Sequence, residues 1–191
     1  MVPEDQVKQL LIQLETQYMS TTSLLDNLLF WLKGQMVGKH LDKIDMPVFS
    51  IIKGLEDEHN LLVERKLIRF DNMLDHDLTV LADKEMIRII IRNLISNAIK
   101  FTPEYGTIKI YASKDATGTS ISIQDSGIGM TPEAIARINA KQYYTTAGTG
   151  LEKGSGFGLM LCSDLLKRHG GELIMISEPG NGSIFTITLP A

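Results

Sequence analysis

The sequence predicts an α+β fold, a mixed sheet with helices against one face, preceded by one long N-terminal helix. Three observations predict it. Two stretches, "GTIKIYASKDATGTSISIQD" and "GELIMISEPGNGSIFTITLP", alternate apolar and polar residues on either side of a glycine-containing turn, the pattern of hairpins. Between them and before them run apolar faces at helical spacing, as in "RNLISNAIKFT". Ahead of both, Val7, Leu11, Leu14, Tyr18, Thr21, Leu25, Leu28 and Leu32 alternate spacings of four and three, a heptad seam.

Each element has its own warrant. The N-terminal helix opens with Pro3 in its first turn and Glu4 and Asp5 at its positive end. Leu10, Leu24 and Leu29 widen its seam, so it calls for more than one neighbour, and Gly38 is a natural stop. From about Ile44 the pattern shortens. "IDMPVFS" and "KLIRFDN" read as strands around a helix from about Pro47 to Glu64, and "LTVLA" as a further strand. Asp83 is placed to cap the helix carrying "RNLISNAIKFT". "TPEAIARIN" starts with Thr131 as cap and Pro132 at the first helical position. "KQYYTTAGTGLEKGSG" lacks periodicity and reads as a long loop of the kind that serves as a lid. A helix, "FGLMLCSDLLKRHGG", follows before the closing hairpin. The expected division is residues 1–43 for the helical appendage and 44–191 for the α+β domain.

Bulk properties narrow the function classes. With 191 residues, 43% apolar and 22% charged, the chain has the composition of a soluble globular protein. A net charge of −4 argues against a nucleic-acid binder that relies on a basic surface. A single cysteine, Cys162, excludes an internal disulfide and a CxxC zinc site. No apolar run approaches the ~20 residues of a membrane span. The expected setting is cytoplasmic, without membrane contact by this chain, an anchor elsewhere in the parent protein being left open.

Chemistry concentrates in three places. On the "RNLISNAIKFT" helix, Asn93, Asn97 and Lys100 project within about 60° of one another, opposite the apolar face. Asparagine oxygens are hard, neutral ligands suited to Mg²⁺ when phosphates supply the charge, and a lysine one turn on would meet those phosphates. Alone, the stripe equally describes a solvated helix face. Next, "DSGIGM" follows a strand directly. Asp125 could accept from an adenine amino group, Gly127 and Gly129 would let the backbone approach the base, and Ile128 and Met130 would add apolar contacts. Third, "GSGFGL" opens a helix whose exposed amides form a natural anion site. It is neither a P-loop nor a GxGxxG dinucleotide fingerprint.

Together and in this order, the three resemble the N box and the two glycine boxes of sensor histidine kinases, within the GHKL superfamily. The resemblance covers residues 44–191, including "HGGEL" and "GNGSIFTITLP". It implies the Bergerat α/β sandwich, with ATP between the N-box helix and a lid. It further implies Asn97 as the Mg²⁺ ligand assisted by Asn93, Lys100 on phosphate, Asp125 on adenine and Phe101 near the base. In the second glycine box it implies nucleotide contacts from Gly154, Ser155, Gly156, Phe157, Gly158 and Leu159. "TTSLLDNLLFWLKGQMVG" is similar to the second helix of the dimerisation and histidine-phosphotransfer hairpin of such kinases. The heptad seam predicts a homodimer through residues 7–32, and the resemblance implies a response-regulator receiver domain as a further partner. The H-[DE]-x-[KR]-x-P acceptor motif is absent, and His40, His59, His76 and His169 do not replace it. The chain therefore reads as part of a longer kinase whose acceptor histidine lies outside it, and its isolated form is not expected to autophosphorylate.

The expected lid departs from the family pattern. Tyr143 and Tyr144 stand near where phenylalanines are common, and Ala147 falls where relatives tend to carry a basic residue, leaving Lys153 as the obvious lid cation. GHKL hydrolases place a glutamate one turn before the metal asparagine; here that position is Asn93, which cannot act as a carboxylate base. The alternatives to a histidine kinase are a dimerisation module that binds nucleotide without catalysis, a GHKL ATPase and a serine kinase of the anti-sigma-factor type.

Overall fold

The computed structural model describes residues 41–140, 142, 148, 149 and 156–191, together with positions 6, 7, 14, 17, 18, 21, 22, 25, 27, 28, 29 and 32. Each of those twelve N-terminal positions is helical. Gly38, Tyr143, Tyr144, Ala147, Lys153, Gly154 and Ser155 lie outside the described residues, as does most of the expected lid.

The domain runs β1 (Lys43–Pro47), α1 (Val48–Arg65), β2 (Arg69–Asn72), β3 (Thr79–Asp83), α2 (Lys84–Phe101), β4 (Thr107–Asp115), β5 (Gly118–Asp125), α3 (Pro132–Asn139), α4 (Gly158–His169), β6 (Glu172–Ser177) and β7 (Ser183–Pro190). Five strands form one sheet in the order β2-β4-β5-β7-β6, parallel between β2 and β4 and antiparallel elsewhere. The strand expected at "LTVLA" exists but leaves that sheet: β3 pairs with β1 as a separate antiparallel ribbon.

Period-2 alternation sends one row of each strand toward the helices. Ile110, Ile123, Phe185 and Met175 stand in register across β4, β5, β7 and β6, as do Ala112, Ile121, Ile187 and Leu173. Ile52 and Leu55 of α1, eight apolar residues of α2 and the Leu161/Leu165 face of α4 cover that row. All three helices thus lie on one face, as the sequence predicts.

Helix ends follow their local chemistry. Asp83 accepts from the Met86 N–H at 3.1 Å, and Thr131 accepts from Ala134 at 3.3 Å. Gly170 ends α4 in the left-handed region at φ 78°. His169, at the end of α4, has a structural place. It is buried, its Nε2 accepts from the Asp83 N–H at 3.1 Å, and its Nδ1 pairs with the Leu165 carbonyl at 2.9 Å. Both ring nitrogens are engaged, so the imidazole locks the end of α4 onto the start of α2. Among the described residues no helix is long and apolar enough to cross a membrane.

Candidate functional site

Helix α2 is the floor of the site. Its apolar face faces the sheet, which fixes where the polar stripe points. Asn97 and Lys100 are half-buried, while Asn93 is 8% exposed. Asn93 Nδ2 donates to the Ile89 carbonyl at 2.8 Å and to Asn27 Oδ1 at 3.3 Å, and its Oδ1 accepts from Asn27 Nδ2 at 3.0 Å. The Asn97 side chain makes no hydrogen bond to a described residue, so its amide oxygen remains available for a ligand. Lys100 Nζ stands 4.6 Å from the centroid of the Phe101 ring, within cation–π range. The three residues expected to act together therefore differ: Asn93 is sequestered, whereas Asn97 and Lys100 are half-buried.

Asp125 closes the inward row of β5, opposite Ile108 on one side and Ser183 on the other. An aspartate at that position takes the place of a core aliphatic and is 3% exposed. Its Oδ1 accepts from the Gly127 N–H at 2.8 Å and the Ser183 N–H at 3.2 Å. Its Oδ2 has no hydrogen-bond partner among the described residues. Burial pushes the carboxyl up to about 6, against the two backbone donors that lower it. A cis-oriented donor such as an exocyclic amino group would complete this half-satisfied carboxylate.

Close backbone approach explains the glycines that follow. A Cβ on Gly127 would fall 2.5 Å from the Phe101 carbonyl, and Gly129 adopts φ 65° with the Glu178 carbonyl against it. Ile128 donates its N–H to the Phe101 carbonyl at 3.2 Å, which ties this loop to the end of α2. Ile128 is exposed, whereas Met130 is half-buried against the core and donates its N–H to Ser177 Oγ at 2.8 Å.

The described part of the second glycine box starts at Gly156, followed by Phe157, Gly158 and Leu159. Phe157 occupies the cap position of α4 and its side chain supplies no acceptor for the first-turn amides. A Cβ on Gly158 would lie 2.7 Å from Asn93 Oδ1, which sets the start of α4 directly against the stripe. The two glycine boxes and the stripe thus meet around α2.

Several contributors carry no signal in the sequence. Lys66, just past α1, donates to the carbonyls of Ile99 at 2.8 Å and Lys100 at 3.1 Å and to Thr149 Oγ1 at 2.9 Å. It neutralises the negative end of α2. Thr149, in the expected lid, hydrogen-bonds the Lys100 carbonyl through both its N–H and its hydroxyl. Asn27 reaches Asn93 across 66 residues of sequence, a contact that no local pattern announces. Cys162 is fully buried and its thiol is pushed up to about 12, which fits an inert core residue.

Among the described residues no group of three or more His, Cys, Asp or Glu side chains is arranged to hold a metal ion. The donor set here is amide oxygen, lysine and backbone N–H. Such a set fits a hard divalent cation carried by a polyphosphate, and does not fit a resident transition metal.

Residues 82–191 match the sequence model of the family described as histidine kinase-, DNA gyrase B-, and HSP90-like ATPase. The curated relative sporulation kinase C of Bacillus subtilis (strain 168) is 34% identical over 131 residues, which is 69% of this chain and 28% of that protein. The catalytic domain of histidine kinase ThkA is 26% identical, with a TM-score of 0.66 over 78% of this chain and 97% of that one. ThkA in complex with the response regulator protein TrrA is similar in fold over the whole chain, at 23% identity and a TM-score of 0.72 over 52% of that chain.

Proposed function

The chain belongs to the histidine kinase-, DNA gyrase B- and HSP90-like ATPase family, and from that premise we propose that it binds ATP on α2 and transfers the γ-phosphate to a histidine. Its ATP-binding catalytic domain is homologous to those of sensor histidine kinases. The chain spans 28% of the length of sporulation kinase C.

The observation that carries the reading is Asp125. A buried carboxylate with one oxygen fixed by two backbone amides and the other unpartnered suits the amino group of adenine. In this reading Gly127 and Gly129 admit the base, and Ile128, Met130 and Phe101 flank it. Lys100 meets phosphate, and the amides from Gly154 to Leu159 wrap the triphosphate together with Lys153. Asn97 would hold Mg²⁺, with Asn93 assisting. Magnesium, when bound, neutralises charge that builds on the phosphoryl oxygens.

Transfer is favoured over hydrolysis by the residue one turn before Asn97. Asn93 offers no carboxylate to activate water, whereas a neutral histidine nitrogen already carries the lone pair that attacks phosphorus. None of the described histidines suits the acceptor role. His169 is buried with both nitrogens engaged, His59 pairs with the Leu55 carbonyl at 2.8 Å, and His76 stacks on Phe49. We place the acceptor on a histidine-bearing segment that pairs with the N-terminal helix, and the next phosphate carrier on a receiver-domain aspartate of a response regulator. The leucine seam supports homodimer formation, because every described seam residue is exposed, Leu14 at 66% and Leu25 at 59%.

Joining a histidine-bearing hairpin to this chain and supplying ATP tests the activity. Acid-labile phosphohistidine is the expected product. Nucleotide binding without phosphohistidine would leave the dimerising binding module as the better reading.

A further inference from the structure

Asn93 is held from outside the domain that surrounds it. Asn27 belongs to the N-terminal helix and is 2% exposed, although the leucines around it, Leu25, Leu28 and Leu29, are open to solvent. It lies roughly 160° around the helix from Leu25 and roughly 100° from Leu28. The helix therefore turns its seam outward and docks on α2 through the opposite side. The contact is a reciprocal amide pair, with Arg92 Nη2 also donating to Asn27 Oδ1 at 3.3 Å.

The pair occupies one of the two acceptor positions of the Asn93 Oδ1 and, together with the Ile89 carbonyl, the whole donor capacity of its amide. Both Nδ2 hydrogens are used, one by Ile89 and one by Asn27, and the Oδ1 that would face a cation accepts from Asn27. The same oxygen is packed against the start of α4 at Gly158. We propose that Asn27 is a positioning residue that withholds Asn93 from magnesium-bound nucleotide while the N-terminal helix is docked. The proposal rests on the ATP-site reading. Its consequence is linkage: ligand on Asn93 and helix docking oppose one another, and by reciprocity each weakens the other by the same factor. The helix that presents the dimer seam on one side thus reports on the nucleotide site through the other.

The test is calorimetric titration with AMP-PNP, with and without Mg²⁺, on the parent chain, Asn27→Ala, Asn93→Ala and the double variant. Asn27→Ala is expected to bind the magnesium complex about fivefold or more tightly than the parent, with metal-free affinity unchanged. On the Asn93→Ala background the substitution should make no difference. A merely structural role for Asn27 would lower both affinities together, which would overturn the proposal. Equal magnesium-dependent affinity in parent and Asn27→Ala would overturn it as well, leaving the ATP site intact. A parent chain whose affinity does not depend on magnesium would overturn the metal assignment and this proposal together.

Discussion

At the scale of single residues, Asp125 carries a carboxyl whose charge is opposed by burial. A carboxyl raised to about 6 in the folded state, against an ordinary value of 3.8, prefers to be protonated there. The folded chain then binds more protons than the unfolded one between those values, so stability falls as pH rises from about 4 to about 6. Asp125→Asn keeps an oxygen for the Gly127 and Ser183 amides while removing the buried charge. It should raise stability at pH 7 by about 1–3 kcal/mol, with the gain disappearing near pH 4. Urea denaturation at the two pH values checks this; a destabilised variant at pH 7 would show that the charge is compensated. Nucleotide affinity should weaken as pH falls below about 6, because protonation of the carboxyl removes an acceptor for the base. The sequence exposes Asp125 because an acidic residue before glycines at a strand end is a local pattern. It gives no warning of Asn27, whose role comes from a contact between distant segments.

At the scale of elements, α2 is fixed at both ends by side chains that serve the site only indirectly. Asp83 caps its start and itself receives support from His169, whose Nε2 accepts the Asp83 N–H. His169→Ala would strand that buried N–H and open a cavity at the α2–α4 junction. A loss of about 2–4 kcal/mol is expected, read as a lower urea midpoint at unchanged slope. A loss within 0.5 kcal/mol would mean that water replaces the ring. Most of these elements are legible in the sequence, because caps and period-2 or period-3.6 patterns are short-range. What escapes is pairing. "LTVLA" reads as a strand, but nothing local tells that it joins β1 in a separate ribbon rather than the main sheet. Lys66 escapes likewise: a lysine after a helix is ordinary until α2 ends beside it.

At the scale of the whole molecule, the described N-terminal positions divide into a buried Asn27 and exposed seam residues. Asn27 holds α2 through Asn93, and the described residues of the heptad seam are all exposed. An apolar stripe of that length in water favours a second helix. Leu14→Glu with Leu25→Glu should shift sedimentation toward monomer while leaving AMP-PNP affinity unchanged. A parent chain that is monomeric at high concentration would remove the seam from the account. The heptad pattern is visible from spacing alone, and so is the order of the three nucleotide-site motifs. Their meeting around α2 is a property of the fold, set by the Ile128–Phe101 hydrogen bond and the Gly158–Asn93 contact.

A nucleotide base on Asp125, with its phosphates on the polar edge of α2, makes binding depend on that one carboxylate. Calorimetric titration of AMP-PNP with Mg²⁺ into the parent chain and into Asp125→Asn tests it most directly. Binding by the parent is expected, weakened at least about tenfold in the variant, because an amide turned toward the base presents a donor to a donor. Equal binding by both chains, or none by the parent, would contradict it.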